Sequence, residues 1–298
     1  MHRLKIKMKS KYSPNGSAPV NICTKSRYFP ILPLFLFLSA ACFLSADMGT
    51  TPSLKNENPQ PAAEARKESE FWGKIPFQGF KADSTEFKYK LADDGTNVLI
   101  LVNFPTETEK RKHKPWKWDA VRQIYVEGEE KEIELYVVIA EFAADAGQDS
   151  APLKMDVWIW RSARTDPSGY ADDCYALSKS PSGAKSIPGE SIEILQDEGT
   201  TCWFSRYFSA FVGEEVPRFY QRTPEGSASD VKAGGRWEKG SWTVEFSRKL
   251  DTGNKDDISL KNGKGGYLSL SIGAPSSKSL VFSQFIKVPD NKESGDSL

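Results

Sequence analysis

The stretch WTVEF at residues 242–246 alternates apolar and polar side chains, and this alternation indicates the fold class. Successive side chains of a β-strand point to opposite faces of a sheet, so Trp242, Val244 and Phe246 share one face. We therefore predict a strand that buries this face. The stretch KMDVWIWR at residues 154–161 is an apolar run of similar length and is predicted to be a second strand.

The chain from residue 71 onward repeats this kind of pattern. Short apolar or alternating runs are separated by Gly, Pro, Asp and Asn, and no long helical period occurs. We predict an all-β fold, a two-sheet antiparallel β-sandwich with long loop insertions. Residues 169–235 have weak periodicity and are predicted to form loops over one end of the sandwich. The other predicted strands are 86–91, 97–104, 132–142, 266–272 and 280–288.

The N-terminus is predicted to be an export signal. Residues 1–27 carry many basic and no acidic side chains, and they precede the apolar stretch FPILPLFLFLSAACFL at residues 29–44. The small residues before Cys42 resemble a bacterial lipobox, which favours lipidation of Cys42. Two alternatives stay open: cleavage after Ala46 to give a soluble periplasmic protein, and a retained membrane anchor.

These patterns divide the chain into four segments. Residues 1–46 form the export segment, with cleavage before Cys42 as one possibility. Residues 47–70 are rich in Pro, Asn, Ala, Lys and Glu and are predicted to be a flexible linker. Residues 71–289 form the sandwich, and residues 290–298 form a disordered tail. We expect a periplasmic or cell-envelope lipoprotein that is held at the membrane by its lipid anchor.

The charge balance and the histidine count exclude several classes of function. The 40 basic and 40 acidic side chains cancel, so nucleic acid is not expected as a partner. The two histidines are His2 and His113, and His2 lies in the export segment, which excludes a multi-histidine zinc site. No phosphate-binding loop, nucleophile elbow or zinc-protease motif occurs. We do not expect catalysis by this chain alone.

Two cysteines of the predicted sandwich, Cys174 and Cys202, lie in the loop region. Because an exported protein matures in an oxidising compartment, we predict that they form a disulfide. Two unpaired thiols are the alternative. No C-x-x-C-H spacing occurs, so haem is not expected to be attached covalently.

Several segments resemble one known family, in order along residues 71–289. The most specific is the strand with Trp158 and Trp160, which runs into the motif GYADD. Together the segments resemble the haem-binding gamma subunit of ethylbenzene dehydrogenase, a family shared with subunits of dimethylsulfide, selenate and chlorate enzymes. The segments are PWKWD at 115–119, DVWIWR at 156–161, GYADD at 169–173, GRW at 235–237 and GSWTVEFSR at 240–248.

The resemblance implies a fold and a function. The family fold is a two-sheet sandwich related to family 9 carbohydrate-binding modules, and it holds a b-type haem between loops and sheet. The chain would then transfer electrons outside the cytoplasm, without catalysis of its own. Its partner would be a redox protein or a molybdenum-enzyme complex.

The resemblance also implies ligands for the haem iron. Members that bind haem use a methionine near the end of a central strand and a lysine close to the C-terminal strand. Lys278 matches the lysine, and an amine binds iron only when it is deprotonated. The matching strand VIAEF at residues 138–142 contains no methionine, and Glu141 or a neighbour occupies its place. Met155 and His113 are the alternative iron ligands.

Other residues would line the cofactor or serve a different ligand. We expect Trp158, Trp160 and Tyr170 to contact the haem. The rival hypothesis is a haem-free envelope lipoprotein that binds carbohydrate, with Trp116 and Trp118 among the tryptophans that could stack on sugars. A third possibility is a structural envelope lipoprotein without a small ligand. The aspartates Asp166, Asp172 and Asp173 allow a calcium loop, although turn formation is the interpretation that their spacing favours.

Overall fold

The structure is a computed structural model, and it is almost entirely β. A helical turn at residues 70–73 and two short 3-10 helices, η1 (Asp166–Ser168) and η2 (Ser227–Ser229), complete it. This confirms the predicted all-β class. The structure describes residues 70–82, 85–142, 154–177, 192–261, 266–273, 279–280 and 286–287, with backbone alone at 82, 177, 192–193, 279–280 and 286–287. All of them belong to one compact unit, residues 58–298.

The first sheet contains the WTVEF stretch and has five antiparallel strands. In spatial order they are β1 (Gln78–Ala82), β2 (Thr85–Asp93), β3 (Asn97–Pro105), β17 (Ser241–Lys249) and β16 (Lys232–Glu238). A tight turn joins β2 to β3, where the Asp94 carboxylate accepts the backbone N–H of Thr96 at 2.9 Å and of Asn97 at 2.6 Å. Gly95 supplies the positive φ of +84° that this turn requires.

The second sheet has six antiparallel strands. In spatial order they are β10 (Leu195–Gln196), β8 (Asp172–Leu177), β7 (Lys154–Arg161), β6 (Glu134–Glu141), β18 (Tyr267–Ile272) and β20 (Ile286–Lys287). Strand β7 has the predicted bounds. Strands β6 and β7 are joined by an unbroken ladder that runs from Glu134 opposite Arg161 to Glu141 opposite Lys154.

The remaining strands are short and form small ladders. Most of them lie at residues 169–235, which were predicted to form loops. That prediction was wrong for β8, β10 and the start of β16, which belong to the two large sheets. Strand β4 (Trp116–Asp119) pairs with β5 (Ile124–Glu127) and β13 (Glu215–Val216). The other pairs are β12 (Trp203–Ser205) with β14 (Phe219–Gln221), β11 (Gly199–Thr200) with β15 (Glu225–Gly226), and β9 (Ile192–Glu193) with β19 (Ser279–Leu280).

The core lies between the two large sheets. Trp242, Val244 and Phe246 are fully buried there, as their alternation predicted. Aromatic rings from the second sheet meet them, with 4.8 Å between the ring centroids of Trp160 and Trp242. The hydrophobic effect of burying each large side chain stabilises the fold by about 1.5–3 kcal/mol.

The second sheet is apolar on its other face as well. We call this set the outer apolar cluster: Tyr136, Val138, Ala140, Met155, Val157, Ile159, Cys174 and Ala176, all buried. Phe142, Ile194 and Tyr267 pack against it and are partly buried. Strand β6 is therefore buried on both faces, which explains why its sequence is a continuous apolar run instead of an alternation.

The predicted disulfide between Cys174 and Cys202 is wrong in this structure, which contains both as free, buried thiols. Cys174 packs into the outer apolar cluster, and burial raises the pKa of its thiol to about 12. The Cys202 thiol instead hydrogen-bonds with Ser168. The two side chains therefore belong to different environments.

Within the described ranges, no helix is long and apolar enough to cross a membrane.

Candidate functional site

Met155, the first candidate iron ligand, lies in the outer apolar cluster. It is fully buried and stands opposite Ala140 in the β6–β7 ladder. Ala140 belongs to the VIAEF stretch, in which the family methionine was expected, and its side chain faces the same cluster. The next residue, Glu141, is exposed, so Ala140 and not Glu141 faces the cluster. The thioether of Met155 therefore enters the cluster from the neighbouring strand.

His113, the second candidate ligand, lies in a group of buried charges. Its Nδ1 accepts the backbone N–H of Glu132 at 3.4 Å, and its ring packs on Phe219 at 5.5 Å between centroids. Burial, together with the positive charges of Arg164 and Lys114, lowers the pKa of His113 to about 3. The Glu132 carboxylate is 3.2 Å from Nδ1 but is already paired with Arg164. The imidazole is therefore neutral at neutral pH.

Met155 and His113 lie at opposite ends of one ladder. Met155 pairs near the end of β6, whereas His113 contacts Glu132, which precedes the start of β6. At about 3.3 Å per residue, the six residues from Met155 to Arg161 span about 20 Å. The two side chains therefore cannot bind the same iron atom.

Two other predicted residues, Lys278 and Cys42, lie outside the described residues. Lys278 directly precedes β19, whose backbone pairs with Ile192–Glu193. The next residue, Ile194, packs against the outer apolar cluster. In this ladder Ser279, the residue after Lys278, pairs with Glu193, the residue before Ile194. Ile194 in turn packs against the cluster that contains Met155.

The predicted haem-contacting residues lie elsewhere. Trp158 and Trp160 are fully buried between the two sheets, and each indole N–H donates to a carboxylate, that of Asp156 at 2.6 Å and that of Asp166 at 2.8 Å. Tyr170 is partly exposed and its backbone bridges to Lys232. They are not next to Met155 on the outer face, so their contact with haem stays a prediction.

The motif that includes Asp172 forms part of a buried ion-pair network. Arg161 bonds to Glu134 at 3.0 Å and contacts Asp172, while Arg164 bonds to Glu134 at 2.5 Å and contacts Glu132. At most 12% of each of these side chains is exposed. Two arginines face three carboxylates, and each of the three carboxylates contacts an arginine, so this network fixes the end of the sandwich and leaves none of them unpaired for a ligand.

The three aspartates that allowed a calcium loop do not act together. Asp166 accepts the indole N–H of Trp160 and bonds to Arg111 at 2.5 Å, and Asp172 accepts the indole N–H of Trp203 at 2.9 Å. Both therefore fix local structure. Asp173 faces a different group, because one oxygen each from Asp156, Asp173 and Asp257 lie within 4.8 Å of one another. Sequence analysis named Asp173 but did not predict that Asp156 and Asp257 would lie beside it.

An aromatic surface covers the three-stranded ladder around β4. Trp118 contacts Tyr125 at 5.1 Å and Phe211 at 5.3 Å between centroids, and Trp116 contacts Tyr207 at 5.2 Å. The Tyr125 hydroxyl donates to the carbonyl of Gly213 at 2.8 Å and accepts the N–H of Val212 at 3.0 Å, which fixes the adjoining loop. We call these rings the aromatic surface: Trp118, Tyr125, Tyr207, Phe208 and Phe211, with Trp116 buried beneath them.

Comparison with known families identifies the chain. The profile described as "Ethylbenzene dehydrogenase" matches residues 81–272, which is more than half of the chain. The chain belongs to the ethylbenzene dehydrogenase family. In this family member, the matched range contains Met155, both large sheets except part of β1 and all of β20, and the aromatic surface. Lys278 lies beyond it.

Comparison with other proteins adds little to this family assignment. A search of curated proteins gave no match. The solved structures that are similar include a crystal structure of a "putative carbohydrate-binding protein" from Bacteroides uniformis. The two sequences are 11% identical, and the TM-score is 0.30. The match covers 70% of this ethylbenzene dehydrogenase family chain and 75% of the Bacteroides uniformis chain.

Proposed function

We propose that this protein is an extracytoplasmic b-type haem protein that transfers single electrons. Membership of the ethylbenzene dehydrogenase family is the observation that carries this proposal. Haem would supply the one-electron redox chemistry, and the protein would supply axial ligands and an apolar environment that set the potential. The chain would act as a subunit or carrier without catalysis of its own.

The outer apolar cluster fits a haem better than the other buried regions described above. A haem needs apolar contact surface and a ligand with an available lone pair, and the Met155 thioether is surrounded by apolar side chains. Phe142 and Tyr267 pack beside it, 5.0 Å apart between centroids. We propose Met155 as one axial ligand in place of the methionine that β6 lacks.

Lys278 is the proposed second ligand. The β9–β19 ladder supports this assignment, because Lys278 precedes β19 and Ile194, which follows β9, packs on the cluster of Met155. A lysine binds iron as a neutral amine, so its position has to be shielded from water enough to lower its pKa. His113 is not proposed, since its Nδ1 is already hydrogen-bonded and about 20 Å separates its end of the ladder from Met155.

The partner and the location complete the proposal. A redox protein or a molybdenum-enzyme complex would exchange electrons with the haem. A lipid on Cys42 would hold the protein at the cell envelope, with the linker at residues 47–70 between anchor and sandwich. Mass spectrometry of the mature N-terminus tests this part, because cleavage after Ala46 without a lipid would exclude the anchor.

A spectrum of the purified protein tests the haem. The full chain is expressed with its export signal and with haem supplied, and spectra are taken before and after reduction with dithionite. We expect a Soret band and sharper visible bands on reduction. Lys278→Ala is expected to shift or abolish these bands, while Lys232→Ala, at an exposed position of β16, leaves them unchanged. A folded protein that stays colourless would contradict the proposal.

The aromatic surface favours a second candidate function, carbohydrate binding. Tyr207 is 71% exposed and Phe211 is 54% exposed, which leaves flat apolar rings free to stack on sugar rings. Titration with soluble polysaccharides tests this function. We expect Tyr207→Ala to weaken any binding and Phe77→Ala, which removes a 48% exposed ring outside the aromatic surface, to leave it intact. Equal binding by both variants would exclude the aromatic surface as the binding site.

A further inference from the structure

Four carboxylates are buried together beside the core of the sandwich. Asp156 and Asp173 are 0% exposed, Asp197 is 3% exposed and Asp257 is 8% exposed. Oxygens of Asp156, Asp173 and Asp257 lie within 4.8 Å of one another. Asp197 adjoins them, because its backbone N–H donates to the carbonyl of Asp173 at 3.3 Å. We call these four residues the carboxylate cluster.

Two members of the carboxylate cluster already have partners. Asp156 accepts the indole N–H of Trp158 at 2.6 Å and forms an ion pair with Arg248. Asp257 accepts the hydroxyl of Thr252 and lies 3.4 Å from the Arg248 guanidinium. These two carboxylates are therefore partly compensated within the protein.

The other two members, Asp173 and Asp197, have no such partner among the described residues. Both side-chain oxygens of Asp173 and both of Asp197 are buried, and among the residues that the structure describes no hydrogen bond reaches any of these four atoms. Buried carboxylates are nearly always hydrogen-bonded, paired with a cation or bound to a metal, because an uncompensated charge loses its hydration. The unsatisfied oxygens of Asp173 and of the neighbouring Asp197 therefore point to a ligand that supplies positive charge.

The charges nearby leave a deficit of positive charge. Arg248 is one cation, and Lys154 is a second, with its Nζ donating to the carbonyl of Asp257 at 2.6 Å. Against them stand the four carboxylates of the cluster, and Asp230 and Asp256 add further negative charge. The four carboxylates of the cluster outnumber the two cations Arg248 and Lys154 by two. A divalent cation would balance these two negative charges.

The surroundings of the cluster disfavour negative charge on its carboxylates. Burial and the neighbouring carboxylates raise the pKa of Asp173 well above its ordinary value, and they raise the pKa of Asp197 to about 8. A bound cation would give the buried oxygens of Asp173 and Asp197 a partner.

We propose that the carboxylate cluster binds one calcium ion, with Asp173 and Asp197 as its main ligands. The donors are all oxygens, which hard cations prefer, and no histidine or thiolate belongs to the cluster. Cys174, next to Asp173 in the chain, faces the outer apolar cluster on the opposite side of β8. Calcium accepts irregular sets of 6–8 oxygen ligands, whereas magnesium demands a near-ideal octahedron.

The calcium ion would join parts of the chain that are distant in sequence. Asp156 is on β7, Asp173 is on β8, Asp197 follows β10, and Asp257 lies in the segment after β17. The ion would thus link the second sheet with the segments that follow β10 and β17, and it would stabilise this edge of the sheet. This inference is independent of haem, which we place on the other face of the second sheet.

Terbium luminescence and calcium titration test the proposal on the full mature chain after treatment with a chelator. Trp158 donates to Asp156, so its ring is close enough to the cluster to sensitise bound Tb³⁺. We expect one Tb³⁺ per chain, displaced by Ca²⁺. We also expect calcium at one hundredfold its Kd to raise the Tm by about 5–10 °C.

Matched variants separate a calcium site from a buried protonated acid. Asp173→Asn and Asp197→Asn are each expected to abolish the calcium-dependent rise in Tm, while circular dichroism shows the same β-structure. Glu238→Gln removes a carboxylate that is 59% exposed and is expected to keep the full response. The proposal is overturned if the wild-type chain binds no calcium at 1:1 stoichiometry, or if Asp173→Asn and Asp197→Asn both retain that binding.

Discussion

Arg248 and Asp156 form an ion pair that joins the two large sheets in the interior of the sandwich. Arg248 is on β17 of the first sheet and Asp156 is on β7 of the second, 92 residues apart in sequence. Neither side chain is exposed, and Arg248 also donates to the carbonyl of Ile258 at 2.6 Å. The alternating pattern of β17 thus ends with a buried charge where an apolar residue would be expected.

Removing the positive charge of this pair should destabilise the fold strongly. We expect Arg248→Met to lower the free energy of unfolding by about 3–5 kcal/mol, because Asp156 would be left as a buried charge without its partner. Urea denaturation of the metal-free chain measures the effect. Arg236→Met, at a side chain that is 78% exposed, should change stability by less than about 0.5 kcal/mol. Similar values for the two variants would contradict the assigned role of Arg248.

Two adjacent glycines of β16 should tolerate alanine differently. A Cβ at Gly235 would lie 2.4 Å from the Trp160 ring, whereas a Cβ at Gly234 meets nothing within 4 Å. We expect Gly235→Ala to cost about 1–3 kcal/mol, because the ring would have to move within a packed core. Thermal unfolding compares the two variants directly. A Gly234→Ala loss as large as that of Gly235→Ala would contradict the close contact with Trp160.

Met155→Leu tests the proposed iron ligand while it keeps the volume of the outer apolar cluster. A swap of this kind usually costs less than about 1.5 kcal/mol, so the protein should fold. We expect the spectrum of the haem-loaded protein to lose its two-ligand character, since leucine has no donor atom. His113→Gln should leave the spectrum unchanged. An unchanged spectrum for Met155→Leu would remove Met155 from the haem site.

The lowered pKa of His113 predicts a pH dependence of stability. The folded-state pKa is about 3 and the ordinary value is 6.5, so between these values the unfolded chain binds the proton that the folded chain excludes. Stability from this group is complete above pH 6.5 and is lost as the pH falls towards 3, by up to about 1.4 kcal/mol per pH unit. Denaturant titrations from pH 4 to 7 should show a shallower loss in His113→Gln than in the wild-type chain. Equal slopes would indicate that His113 has an ordinary pKa when folded.

Strand β7 and the WTVEF stretch of β17 were predictable from sequence because strand formation depends on a local pattern. Alternation along β17 and the apolar run of β7 are enough to predict two strands and the buried face of β17, whereas the contact between Trp160 and Trp242 depends on how the two sheets pack. The chain has two histidines and none of the catalytic motifs considered, which limited the candidate ligands. The role of Lys278 as a haem ligand rests on family resemblance and stays a prediction.

The sequence by itself determined the sandwich, its long strands and the aromatic face of its core, because each depends on residues within one short stretch. The tertiary structure decided which polar groups meet. It separated Cys174 from Cys202, it placed Met155 and His113 at opposite ends of a ladder, and it brought Asp173 to Asp257. The physical reason is that partners of buried charges come from strands and loops far apart in the chain, and only strand register and sheet packing fix their distances.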